Sequence, residues 1–89
     1  MSDGTNKRFY QATINDPKFQ EFLKIMGNRF SIERHRKDLS QEDLPGFSSG
    51  LLGAIERGYR PSTLRVLYLL AEALGCDLEV VLIPKRKSI

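Results

Sequence analysis

Several kinds of chemistry are excluded by what this 89-residue chain lacks. Cys76 is its only cysteine, which excludes an internal disulfide and a cysteine-based metal cluster. His35 is its only histidine and lies in the run ERHRK, where a solvated helix surface is a better explanation than a general base. The sequence has no Gly-rich phosphate loop and no serine with a base and an acid at motif spacing. We therefore expect no catalytic residues, no cofactor and no metal site.

Long apolar runs are missing as well. The first nine residues, MSDGTNKRF, lack the apolar core of a secretory signal, and no run approaches the roughly 18 residues of a membrane span. We therefore expect a soluble cytoplasmic protein with no membrane partner. With 40% hydrophobic and 28% charged residues, the chain fits one small domain. The core of a domain this small is marginal, so oligomerisation is a reasonable stabiliser.

Positive charge is in slight excess. The formal net charge of +3 permits an anionic partner without establishing one. Ten of the 14 basic residues form three groups, which are Arg29, Arg34, Arg36 and Lys37, then Arg57, Arg60 and Arg65, and finally Lys85, Arg86 and Lys87.

The N-terminal part of the chain predicts a short strand followed by a long helix. FYQATI, residues 9–14, is rich in β-forming residues. Asp16 is suited to cap the helix and Pro17 to occupy its first turn. The helix should end near residues 37–38, and Gly27 predicts a kink or two abutting helices. Its apolar stripe consists of Phe19, Phe22, Leu23, Met26 and Phe30.

Two short helices are predicted next. Ser40 and Asp43 form an approximate capping box, and the Pro-Gly pair at 45–46 should stop this second helix after little more than one turn. Ser48 then caps a third helix that Gly58 ends.

The Pro-Ser pair at 61–62 is expected to cap a fourth helix, which Gly75 closes. Its predicted inward face consists of Leu64, Leu67, Tyr68, Ala71 and Leu74.

The period of the sequence changes in DLEVVLIP, residues 77–84, which alternates as a β-strand does. A lone strand cannot satisfy its own backbone groups, so it must pair either with residues 9–14 or with the same strand of a second subunit. We favour pairing across a two-fold axis. The residues expected to form this dimer interface are Leu78, Val80, Val81, Leu82 and Ile83.

MGNRFSIERHRKDLSQEDL followed by IERGYRPSTLRVLYLLAEALG resembles the lambda-repressor-like (Xre) helix-turn-helix family. The resemblance covers roughly residues 23–75, and the strand after the fourth helix is similar to the tail of antitoxin-type members. It implies a mainly α-helical DNA-binding domain of four to five helices. We divide the chain into an N-terminal arm (1–15), a helix-turn-helix domain (16–75), a dimerisation strand (76–84) and a basic tail (85–89).

The resemblance also implies a DNA-binding surface. Residues 48–57 are the expected recognition helix, whose N-terminal turn enters the major groove. Gln41 inherits the role of supporting a backbone contact and bracing that helix, while Arg57 and Arg60 are suitably placed for phosphates. Glu56 is better explained by a structural ion pair or a cap. The candidate DNA-binding residues are Ser40, Gln41, Ser48, Ser49, Gly50, Leu51, Gly53, Arg57 and Arg60.

Two departures from the family pattern stand out. The chain between Leu44 and Ser48 is about three residues shorter than the family pattern, in which the second helix is longer. The outward positions of the third helix are occupied by Ser49, Gly50, Gly53 and Ala54, whereas base edges are usually read by amides and guanidinium groups. Small residues allow close approach to DNA and readout of its shape, and they equally fit packing against another protein.

These features are consistent with two functions. The first is a dimeric, sequence-specific transcriptional repressor on a palindromic operator, with the further prospect of an antitoxin that binds a protein toxin and represses its own operon. The alternative is a protein-interaction module on a helix-turn-helix scaffold with weak or non-specific DNA binding.

Overall fold

Short capping signals set the bounds of the helices. The computed structural model describes residues 15–86 and contains α1 (Pro17–Arg36), a single 3₁₀ turn (Gln41–Asp43), α2 (Ser49–Glu56) and α3 (Leu64–Ala73). The expectation of a mainly helical fold is confirmed. Within residues 15–86, no helix is long and apolar enough to cross a membrane.

The first helix begins where its sequence predicts. The Asp16 carboxylate accepts the Lys18 backbone N–H at 3.0 Å, and Pro17 occupies the first helical position. The helix ends at Arg36, and Asp38 adopts a left-handed φ of 57°. Of the two expectations at Gly27, that of two abutting helices is wrong, because Pro17–Arg36 is one helix.

Close packing explains the glycine at position 27. A Cβ atom there would collide with the Ile55 carbonyl oxygen and lie 2.9 Å from that of Glu56. Gly58 fits tightly in the same way, because a Cβ on it would lie 2.7 Å from the Lys24 backbone nitrogen. The end of α2 therefore rests directly on the α1 backbone.

The predicted second helix is reduced to one 3₁₀ turn. The Ser40 backbone N–H donates to Asp43 Oδ2 at 2.8 Å, as the capping box requires. Pro45 and Gly46, with a φ of 89° at the glycine, then redirect the chain. Residues 15–86 thus contain three α-helices, and the prediction of four to five is wrong because this Pro-Gly pair leaves no room for a further helical turn.

The second and third α-helices have serine or threonine caps. Ser48 Oγ accepts the Leu51 N–H at 3.1 Å, and Gly58 ends α2 with a φ of 71°. The third helix starts later than predicted, because Thr63 rather than the pair at 61–62 is its cap; Thr63 Oγ1 accepts the Val66 N–H at 3.2 Å.

One core lies between the three helices and the turn. The predicted inward face of α3 is partly wrong, because Leu64 and Tyr68 are exposed whereas Leu70 is buried. Leu70 follows Leu67 by three positions and Leu74 follows Leu70 by four, so these side chains lie on one helical face. The buried cluster comprises Phe30, Leu44, Leu52, Ile55, Leu67, Leu70, Ala71 and Leu74.

The C-terminal segment has no strand partner. Residues 76–86 contain no regular secondary structure, so the predicted strand at 77–84 is absent from the single chain. The physical reason is that the backbone N–H and C=O groups of a strand form a ladder of hydrogen bonds only with a neighbouring strand. The predicted strand at 9–14 lies outside the described residues.

We predict that Gly27→Ala lowers the free energy of unfolding by about 3 kcal/mol, because the new methyl group meets rigid backbone rather than a movable side chain. Chemical denaturation measures this change. Gly50→Ala is the matched control, because a Cβ at position 50 has nothing within 4 Å, and it should change stability by no more than about 1 kcal/mol. Equal effects of the two substitutions would contradict the close packing of α1 on α2.

Candidate nucleic-acid interface

A buried arginine fixes the C-terminal end of α2. Arg34 Nε and Nη2 donate to the two carboxylate oxygens of Glu56 at 2.8 and 3.0 Å, forming a bidentate pair. Arg34 Nη1 donates to the Leu39 carbonyl oxygen at 2.6 Å. The two charged side chains are only 9% and 8% exposed. One guanidinium therefore joins α1, the loop after it and the last residue of α2.

Gln41 completes this network from the 3₁₀ turn. Its Nε2 donates to Glu56 Oε1 at 3.2 Å, so the carboxylate is held from two elements. Burial acts to raise the pKa of the Glu56 carboxyl, but the hydrogen bonds from Arg34 and Gln41, with the charge of Arg34, lower it below its usual value. The hydrogen bond to Glu56 likewise raises the pKa of Arg34. The pair is therefore charged at neutral pH.

The N-terminal turn of α2 faces solvent. Ser48, Ser49 and Gly50 are exposed, and a Cβ on Gly50 would meet nothing within 4 Å. The first backbone N–H groups of a helix have no intrahelical acceptor and carry partial positive charge, so this end of α2 suits an anion. Ser40, the residue that caps the 3₁₀ turn, is also exposed. This surface has room for a large partner to approach the helix backbone.

Two other predicted contact residues lie in less open positions. Leu51 is half-buried and packs against the core, which leaves little of its side chain for a partner. Gly53 is buried, because the Arg57 guanidinium covers it: a Cβ on Gly53 would lie 2.9 Å from Arg57 Nη2. Ala54 is half-buried and Arg60 is exposed.

Arg57 lies across the outer face of α2. Its guanidinium carbon is 5.1 Å from the centre of the Tyr59 ring, in a cation–π contact. Within residues 15–86 it forms no salt bridge. Arg57 is therefore an exposed, uncompensated cation held on the same face as Gly53.

Glu56 was expected to form a structural ion pair or a cap, and the ion pair is confirmed, but Arg34 was not identified as its partner. The sequence of α1 nevertheless contains a signal that Arg34 is buried and needs a partner. Leu23, Gly27, Phe30 and Arg34 are the buried residues of α1 and follow each other at helical spacing. A charged residue at the end of such a stripe needs a buried counter-charge.

The predicted dimerisation residues lie apart in sequence from this surface and differ in burial. Leu78 packs against the core, whereas the four that follow it in the predicted set are between 69% and 92% exposed. Those four are Val80, Val81, Leu82 and Ile83. Among residues 15–86, no group of His, Cys, Asp and Glu side chains is arranged to hold a metal ion.

We predict that Glu56→Gln lowers the free energy of unfolding at pH 7 by roughly 2–4 kcal/mol, because it leaves Arg34 buried without its counter-charge. Glu33→Gln, which removes a surface pair with Arg36, is the control and should have an effect below about 1 kcal/mol. Denaturation curves measure both.

The pH dependence follows from the lowered pKa of Glu56. The stability that its carboxylate contributes is present above the carboxyl pKa of the unfolded chain, about 4.3, and is lost as the pH falls through the lower folded value. Glu56→Gln should therefore make the loss of stability in acid shallower. If Glu56→Gln and the wild-type protein lose stability equally steeply as the pH falls, the ion pair between Arg34 and Glu56 is contradicted.

The chain is 44% identical over 58 residues to an uncharacterized HTH-type transcriptional regulator, y4dJ, of Sinorhizobium fredii, and the match covers 62% of this chain and 75% of the relative. No family model matches the chain, and no solved structure matches it significantly. At this identity and coverage, the chain belongs to the HTH-type (helix-turn-helix) transcriptional regulators.

Proposed function

We propose that the protein is a sequence-specific DNA-binding transcriptional regulator and acts as a repressor. The observation that carries the proposal is the exposed N-terminal turn of α2, on a helix whose other end is fixed by Arg34 and Gln41. The name of the Sinorhizobium relative, an HTH-type transcriptional regulator, supports the same function. A repressor requires only that the bound protein occupies the promoter.

In this proposal α2 is the recognition helix. Ser49 and Gly50 approach the major groove, and the free N–H groups of the first turn, with Ser40, Gln41 and Ser48, face phosphates. Arg60 contributes a further phosphate contact. The exposed residues of the first turn, Ser49 and Gly50, have small side chains, so the helix backbone can come close to the bases.

We further propose that the protein is a homodimer, of the lambda-repressor-like (Xre) type, that binds a palindromic operator. Residues 80–83 are apolar and exposed, and their backbone has no ladder partner within residues 15–86. A second copy of this segment would supply both the backbone partner and an apolar surface. Two-fold symmetry would then separate two recognition helices by about one turn of DNA, roughly 34 Å.

An antitoxin role is the most specific form of this proposal, with a protein toxin as partner and autoregulation of the operon. It is supported by the resemblance of the chain to antitoxin-type regulators. A protein-interaction module is the competing function. It is favoured by the exposed apolar side chains Phe22 and Ile25 on α1, which are 58% and 59% exposed.

We predict that the protein prefers DNA from immediately upstream of its own gene over a scrambled duplex of equal length, and that the preference persists at physiological salt. Fluorescence anisotropy over a salt series measures both affinities. Equal binding to both duplexes that is lost as the salt concentration rises would favour the interaction module. Tight binding to a protein partner, with no binding to any DNA at low salt, would also favour it.

Arg60→Ala should weaken binding to both duplexes alike and reduce the slope of log K against log salt by about one, because one phosphate contact is lost. Arg29→Ala, which removes an exposed charge from the middle of α1, is the matched control and should leave the slope nearly unchanged. A slope unaffected by Arg60→Ala would exclude Arg60 from the phosphate contacts.

For the dimer, we predict that Val81→Pro yields a monomer in analytical ultracentrifugation, because proline removes a backbone donor from the middle of the paired segment. Glu79→Gln, an exposed polar change in the same segment, should leave the dimer intact. A wild-type protein that is monomeric at tens of micromolar concentration would refute the pairing.

A further inference from the structure

Arg57 has the chemistry that the outward residues of α2 lack. Ser49, Gly50, Gly53 and Ala54 offer no amide or guanidinium group, although such groups read base edges best. Arg57 follows α2 directly and lies four residues after Gly53 and seven after Gly50, which places the three on one helical face.

The direction of the Arg57 side chain is set by the helix. Side chains of a helix lean toward its N-terminus, so a long side chain at residue 57 extends over residue 53. The distances agree, because a Cβ built on Gly53 would lie 2.9, 3.4 and 3.6 Å from Arg57 Nη2, Cζ and Nη1. The planar end of Arg57 thus occupies the space that any side chain at residue 53 would fill.

The Tyr59 ring also contacts the Arg57 guanidinium. The Tyr59 backbone N–H donates to the Ala54 carbonyl oxygen at 2.9 Å, and the Gly58 N–H donates to that of Ile55 at 3.1 Å. These bonds and the left-handed Gly58 fix the chain at the end of α2, so the position of Tyr59 follows from the helix end. Its ring is 5.1 Å from Arg57 Cζ and is itself 72% exposed.

We propose that Arg57 is the main base-reading side chain of this protein, and that Gly53 and Tyr59 are the residues that position it on the outer face of α2. The inference rests on the proposed DNA-binding function and deepens it. The short side chains of α2 make room for an arginine supplied from just beyond the helix. A guanidinium reads guanine through two parallel hydrogen bonds, whereas a lysine in the same place acts as a point charge.

The test uses duplex DNA that the wild-type protein enriches from a random 30-bp pool, with a shuffled duplex of the same composition. The measured quantity is the ratio of the two affinities. Arg57→Lys keeps the positive charge and should reduce this ratio by about tenfold while leaving the salt dependence nearly unchanged. Arg29→Lys, at an exposed arginine on α1, is the matched control and should leave the ratio unchanged.

Gly53→Ala tests the positioning. The added methyl group meets only the movable end of Arg57, so the protein should stay folded, which thermal unfolding verifies, and the ratio should fall by a similar factor. Tyr59→Phe, which keeps the ring, should preserve the ratio, and Tyr59→Leu should lower it.

A double-mutant cycle separates this mechanism from a simple clash between the new methyl group and DNA. If Gly53 acts through Arg57, then Gly53→Ala causes no further loss once Arg57→Ala is present. A further loss in that background, or a ratio that survives Arg57→Lys, overturns the inference. A wild-type protein that enriches no sequence instead overturns the proposed function, and the inference fails with it.

Discussion

The position of α2 depends on the buried ion pair between Arg34 and Glu56. Helices this short are not stable alone, and α2 also contains two glycines, Gly50 and Gly53, that weaken it further. The element before α2 is only a 3₁₀ turn, so α2 lacks the support that a longer helix at that position would give. Arg34 compensates by linking α1 and the Leu39 carbonyl to the end of α2. Gln41 adds the remaining connection from the turn.

As a result, the two ends of α2 differ in how tightly they are held. Its C-terminal end is rigid, since Gly27 allows α1 to touch the backbone at residues 55 and 56 and Glu56 is held by three hydrogen bonds. Its N-terminal end is open, and its exposed residues are small. A surface of this kind offers backbone donors and close approach rather than long reading side chains, and Arg57 supplies the one long polar group on that face.

Local signals in the sequence predicted most of the fold. The caps at Asp16 and Ser48 and the left-handed glycines at 58 and 75 were identified because each depends on only a few neighbouring residues. The errors have longer-range causes. The packing role of Gly27 was missed because it depends on the approach of a residue 28 positions later, and the register of α3 was misjudged because Leu70 and Tyr68 both fit a helical stripe. Arg34 was missed as the partner of Glu56, and the position of Arg57 over Gly53 was missed because it follows only once α2 is known to extend to residue 56.

In the proposed function, the open face of α2 contacts DNA. The most direct test is to titrate ¹⁵N-labelled protein with a duplex that it has enriched from a random pool and to follow the backbone amide signals by NMR. DNA binding by this face predicts the largest shifts at residues 48–53, with smaller ones at Gln41 and Arg60, and little change along the exposed side of α1 around Phe22 and Ile25. Shifts centred on that side of α1, with α2 unaffected, would contradict it.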